Sequence, residues 1–155
     1  MKMRMIGILA AAFLTVSCAG TSSKVEAPVS LSKDEAVAYE IINTAEVPEK
    51  AMVILAPRLE ANLKSAGFNM VEKDKAAKRI EIVVEKYRMR HGANRVLFGA
   101  MAGSDHILSK VTIKDVKTDA VAGQFTVQSK NPTANGTAKG LIENHADKIV
   151  QMLNK

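Results

Sequence analysis

Apolar positions along this chain of 155 residues switch between a period of two and a helical period, and the switches mark the elements. Ala36 to Ile42 is rich in β-branched and aromatic residues and runs into the extended Glu46-Val47-Pro48. It reads as a first strand, although Ser32 and Glu35 have the spacing of a capping box that would start a helix. From Pro48, a residue suited to a first helical turn, apolar side chains recur at Met52, Leu55, Leu59, Leu63 and Ala66. Pro57 inside that stretch predicts a kink or a restart, and Gly67 stands where the helix should end. Phe68 to Val71 follows as a short strand. Ile80, Ile82 and Val84 then alternate with Glu81, Val83 and Glu85, a strand pattern. Beyond Val84 the parity changes character, because Lys86, Arg88 and Arg90 continue the apolar set while Tyr87 and Met89 take the other. Either the strand leaves the core there or a bulge rotates it.

Ile107, Ser109, Val111 and Ile113 alternate as a further strand, Lys117 to Ala120 makes a turn, and Val121 to Gln128 returns as its hairpin partner. Asn131-Pro132 and Asn135-Gly136 mark a loop. In the closing stretch Leu141, Ile142, His145, Ala146, Ile149, Val150 and Leu153 share one helical face, with Lys139, Glu143 and Asp147 opposite. The order of elements predicts an α/β (α+β) fold, with a mixed, mostly antiparallel sheet of four to five strands and two helices packed on one face.

Three stretches follow neither period. Residues 1–17 have a basic start at Lys2 and Arg4, an uncharged apolar run from Ile6 to Val16, and Ser17 before Cys18, the only cysteine. That is an export signal, and its apolar run falls short of the roughly 20 residues of a permanent span. Leu14-Thr15-Val16-Ser17-Cys18 resembles a bacterial lipobox, which implies that Cys18 is lipidated and becomes the mature amino terminus. The alternative is an ordinary secretory signal cut near Ser17 or Ala19. Ala19 after the cysteine implies an outer-membrane destination facing the periplasm, for a Gram-negative source. Residues 18–33 are small and polar and read as the lipidated cysteine with a flexible tether, leaving 34–155 as one domain. Gly92 to Ser104, with Val96-Leu97-Phe98 inside it, reads as a packed loop.

Without residues 1–17 the chain keeps 20 basic and 16 acidic side chains, formally +4. With no Trp, four Phe and two Tyr, it lacks the rings of a stacked-base surface, and no nucleic acid is expected as a partner. Lys86, Arg88, Arg90 and Arg95 are the candidate partner-binding residues. At period two the first three project from one strand face, suited to an envelope protein or an anionic envelope component. The alternative is an edge strand guarded by its charges. Gly99 and Gly103 suit close backbone packing, since no Lys-Ser or Lys-Thr pair follows as in a phosphate-binding loop. His91, His106 and His145 have no metal-ligand spacing, so neither a metal nor another cofactor is expected. Glu143 and Asp147 lie four apart on a helix, an arrangement equally common on solvated faces. No elbow motif surrounds any serine.

Gly92-Ala93-Asn94-Arg95, the Gly99 to Gly103 run, Val111-Thr112-Ile113-Lys114-Asp115 and the hairpin after it together resemble bacterial lipoproteins of the domain of unknown function 4410 (DUF4410) family, over roughly Val47 to Leu153. That family has no assigned activity, so the resemblance implies an envelope lipoprotein with a small α/β domain and adds no catalytic residues. By fold analogy the chain is also similar to small α/β lipoprotein domains of secretion and envelope assembly, including the curli-secretion type. The expectation is a non-catalytic binding or structural module held on a membrane by its lipid. The alternatives are a self-assembling subunit of an envelope or secretion complex and, less favoured, a hydrolase with unrecognised residues.

Overall fold

A computed structural model describes residues 20–90, 103–132 and 136–155. The elements are β1 Gly20–Ala27, β2 Ala36–Asn43, α1 Glu49–Ser65, β3 Asn69–Met70, β4 Lys78–Arg88, β5 Asp105–Asp115, β6 Val121–Asn131 and α2 Ala138–Leu153, with one 3-10 turn at Lys73–Lys75. They form a six-stranded mixed sheet in the order β1-β6-β5-β4-β2-β3. The pairs β1/β6, β6/β5 and β5/β4 are antiparallel, while β2 runs parallel to both β4 and β3. A parallel neighbour needs a crossover, and α1 supplies it between β2 and β4.

The two-residue alternation sends Ile80, Ile82 and Val84 of β4, Ile107, Val111 and Ile113 of β5, and Phe125 and Val127 of β6 into one core. Leu55, Leu59 and Leu63 of α1 and Ile142, Ala146, Ile149 and Leu153 of α2 close over them. Each side chain of this size contributes roughly 1.5–3 kcal/mol on full burial, so the shared face fixes the sheet register as well as the helix positions.

Three features differ from or resolve the sequence expectation. Residues 20–27 of the expected tether form β1, whose backbone pairs with β6 from Gly20↔Lys130 to Ala27↔Gln124. Beyond it Ser30 N–H donates to the Ala122 carbonyl at 2.8 Å, and Val29 and Leu31 pack against the core. A Cβ on Gly123 would come within 2.8 Å of Val29 Cα, so this crossing requires glycine. Apolar periodicity does not mark this strand, because its inward side chains, Thr21 and Ser23, are polar. They reach Ser129 Oγ (2.8 Å) and Met152 Sδ (3.1 Å) instead of filling an apolar core. Of the kink or restart expected at Pro57, the restart does not occur, and α1 runs as one helix from Glu49 to Ser65. The carbonyl that proline leaves without its N–H belongs to Val53, at an exposed position where water can serve. The parity change in β4 is a bulge: the pairing with β5 slips between Val84 and Lys86.

Candidate functional site

Alternation gives β4, β5 and β6 a second face, and none of its side chains is fully buried. The bulge at Glu85 decides what this face presents. It sets Lys86 opposite Leu108 and Arg88 opposite His106, on the side away from the helices, and turns Tyr87 toward the core side with Ile107. The register then carries across three more strands. One row reads Arg88, His106, Lys130, Gly20; the next Lys86, Leu108, Gln128, Ser22; the third Val83, Lys110, Thr126, Lys24. Five cations and a histidine thus share one end of the face. The carboxylates bordering it are Glu85 in the bulge and Glu26, which accepts from Thr126 Oγ1 at 2.8 Å. His106 registers the crowding: partial burial, then the positive charges of Lys130, Lys86 and Arg88, hold it below the ordinary histidine range.

The opposite end of the face is balanced. Lys114 pairs with Glu81 at 2.9 Å, Arg79 lies 3.5 Å from Glu81 and 3.9 Å from Asp119, and Lys73 pairs with Glu40. The Lys73 hydrogen bond is the main reason the Glu40 carboxyl is held low. The positive excess therefore belongs to one end.

Of the four candidate binding residues, Lys86 and Arg88 are exposed on this face, and the Arg88 guanidinium lies against Gly103, whose Cβ would meet it at 3.0 Å. Arg90 does not join them. It lies beyond the end of β4 and is only 8% exposed, its side chain folded onto Asp105. Asp105 Oδ1 accepts from the Arg90 backbone N–H (2.7 Å) and Nε (3.2 Å), and Oδ2 from a terminal nitrogen (3.3 Å). The terminal guanidinium nitrogens also donate to the carbonyls of Gly103 (2.7 Å) and Asn131 (3.0 Å). This clamp ties the ends of β4, β5 and β6 together. The period-two extrapolation failed at Arg90 because the strand had ended and a buried aspartate fifteen positions on supplied a better partner than water. Arg95 and Cys18 lie outside the described residues.

The remaining chemical candidates have structural partners. His145 is fully buried, with Nδ1 2.9 Å from Ser129 Oγ and Nε2 2.8 Å from Ser109 Oγ. Burial lowers its pKa to about 4, so near neutral pH a neutral ring bridges two strands. Both ring nitrogens are engaged by hydroxyls, and no carboxylate enters this chain. Asp147 binds Arg58 through both oxygens (2.6 and 2.9 Å) and Asn62 (2.6 Å), joining α2 to α1. The Arg58 hydrogen bond holds that carboxyl below its usual range. Glu143 lies 3.8 Å from Lys139. A cleft of about 570 Å³ opens between the first turns of α1 and α2 and the end of β4, lined by Ile54, Tyr87, Met89 and Ile142 with Lys50 and Lys139 at its rim. Among the described residues no cluster of His, Cys, Asp and Glu could hold a metal, and no helix is long and apolar enough to cross a membrane.

The family model described as domain of unknown function (DUF4410) matches residues 26–153. No curated protein matches the sequence. Among solved structures, the PelC dodecamer from Paraburkholderia phytofirmans aligns with a TM-score of 0.64 at 15% identity, over 86% of this chain and 97% of that one. Lipoprotein GNA1162 from Neisseria meningitidis aligns at 0.53 with 9% identity, over 78% and 99% of the two chains. Protein XCC0632 from Xanthomonas campestris, matched to the DUF330 family, aligns at 0.55 with 10% identity over 83% and 85%. At these identities the likeness is one of fold.

Proposed function

This chain belongs to the DUF4410 family, and from that premise we propose that it is a lipid-anchored envelope lipoprotein, held through Cys18 and acting by docking, without catalysis. The observation that carries the reading is the open face of β4, β5 and β6, whose cationic end is assembled from residues far apart in sequence. The inner faces of α1 and α2 are taken up by the core, and His145, Asp147 and Arg90 are engaged in holding elements together. Docking on the open face needs no further chemistry from them. The name of the lipoprotein from Neisseria meningitidis, which has this fold, accords with the reading.

Two cell experiments test it. The wild-type protein should stay with membranes through a high-salt wash and leave only with detergent, whereas a Cys18→Ser chain exported by an ordinary cleavable signal in place of residues 1–17 should be removed by salt; a salt-extractable wild type overturns the anchor. A photocrosslinker at Gln128, in the middle of the open face, should form adducts that the same group at exposed Val53 of α1 does not. Equal labelling overturns the docking face.

A second reading, a self-assembling subunit, has its own support. PelC, which shares the fold, is a dodecamer, and β1 ends the sheet with its outer edge unpaired among the described strands. The solution mass of the Cys18→Ser chain separates the two: a monomer favours docking, a closed ring favours assembly.

A further inference from the structure

The lipid reading fixes more than location, because the expected tether is short. β1 begins at Gly20, two residues after Cys18. Two residues span at most about 7 Å. Gly20 is registered against Lys130, so an acylated Cys18 holds that end of the sheet at the bilayer surface. The same end carries the cationic rows. At about 4.8 Å between strands, the row from Gly20 through Lys130 and His106 to Arg88 covers roughly 15 Å, and the rows with Lys86, Lys110 and Lys24 follow at intervals of roughly 7 Å.

We propose that the open sheet face docks on the phosphate headgroups of the membrane that carries the Cys18 anchor, through Lys24, Lys86, Lys110 and Lys130 with Arg88 beside them. This rests on the lipid-anchor reading and names the partner of its docking surface. The charge distribution selects the face. Among the described residues, Lys50 and Lys139 on the helix side of the same end are accompanied by Glu46, Glu49 and Glu143, whereas the sheet side has Glu26 and Glu85 at its border. Anionic headgroups attract each nearby Lys or Arg by about 1 kcal/mol and act within a Debye length of about 8 Å, so only groups held close contribute. The anchor supplies that closeness. The acyl chains hold the protein on the membrane, and the cations set which face it turns inward.

Lysine footprinting reads this directly. The lipidated protein is reconstituted into phosphatidylglycerol vesicles, phosphatidylcholine vesicles or neutral detergent micelles and acetylated briefly. Lys24, Lys86, Lys110 and Lys130 should be protected several-fold in the anionic vesicles alone, while Lys33, Lys73, Lys75 and Lys117 at the far end react alike in all three. Equal reactivity everywhere overturns the inference. Protection of the four in micelles as well also overturns it, and assigns the face to a second copy of the chain.

The mature chain carrying Cys18→Ser keeps the inference testable without a lipid. It should sediment with phosphatidylglycerol but not phosphatidylcholine vesicles, and less so as salt rises. Reversing the four lysines to Glu should lower that binding by at least roughly 10²-fold, at about fivefold per cation, whereas reversing Lys33, Lys73, Lys75 and Lys117 should have a much smaller effect. No sedimentation, or equal loss in both variants, rejects the headgroup contact even where Cys18 proves to be acylated. An unacylated Cys18 in the wild type rejects the anchor reading instead.

Discussion

At the scale of single residues, two buried polar groups show what the sequence reveals and what it hides. His145 falls on the apolar face of its helix by spacing alone, but its partners Ser109 and Ser129 come from two strands and are unreadable until those strands are paired. Its lowered pKa has a testable sign. Above pH 6.5 the ring is neutral in both folded and unfolded chains and contributes no pH dependence. As pH falls toward about 4 the unfolded ring takes up a proton that the folded one refuses, so stability is lost through that window. Between pH 7 and 4.5 the loss from this group is roughly 2 to 3 kcal/mol, read as the extra fall in urea midpoint relative to His145→Gln. An identical pH profile in the two proteins contradicts it. Arg90 carries the opposite lesson, since its spacing proposed an exposed site and Asp105 buried it. Arg90→Ala should cost about 3 to 5 kcal/mol by taking the guanidinium away from the buried Asp105 carboxylate. Arg90→Met with Asp105→Leu should recover part of this in thermal unfolding. It should still fall short of wild type by ~1 kcal/mol or more, because the Gly103 and Asn131 carbonyls lose the guanidinium as a donor.

At the scale of elements, legibility followed apolar content. Strands β2, β4, β5 and β6 and both helices announce themselves because a missed register would expose Ile, Leu, Val or Phe. Only the Glu35 arm of the Ser32 and Glu35 capping box forms, with Ser32 N–H on Glu35 Oε2 at 2.8 Å, while Ser32 Oγ accepts from Asp34 N–H at 3.4 Å; no helix follows and the turn leads into β2. The β-branched run outweighed the cap. Strand β1 was illegible for the converse reason: its order comes from backbone pairing with β6, which side-chain periodicity does not record. Pro57 breaks a rule the helix survives by packing Leu55, Leu59 and Leu63 into the core. Pro57→Ala should therefore stabilise the protein by about 1 to 3 kcal/mol, seen as a higher Tm. A lower Tm would mean that the proline serves the local packing.

At the scale of the whole molecule, the two faces of the sheet differ. One sheet face and two helices build the core, and the other face is left open with its cations gathered at the end where β1 begins. Two of the five cations of the proposed face were legible: Lys86 and Arg88 stand out by charge and period. Lys24, Lys110 and Lys130 did not, because only the β1-β6-β5-β4 order brings them alongside. A surface assembled across four strands has no sequence motif. Its relation to the membrane depends on Cys18, so the most direct measurement is the intact mass of the detergent-extracted wild-type protein. The account predicts a chain that begins at Cys18 and carries the added mass of its acyl groups. A chain that begins elsewhere, or that keeps an unmodified Cys18, would contradict it.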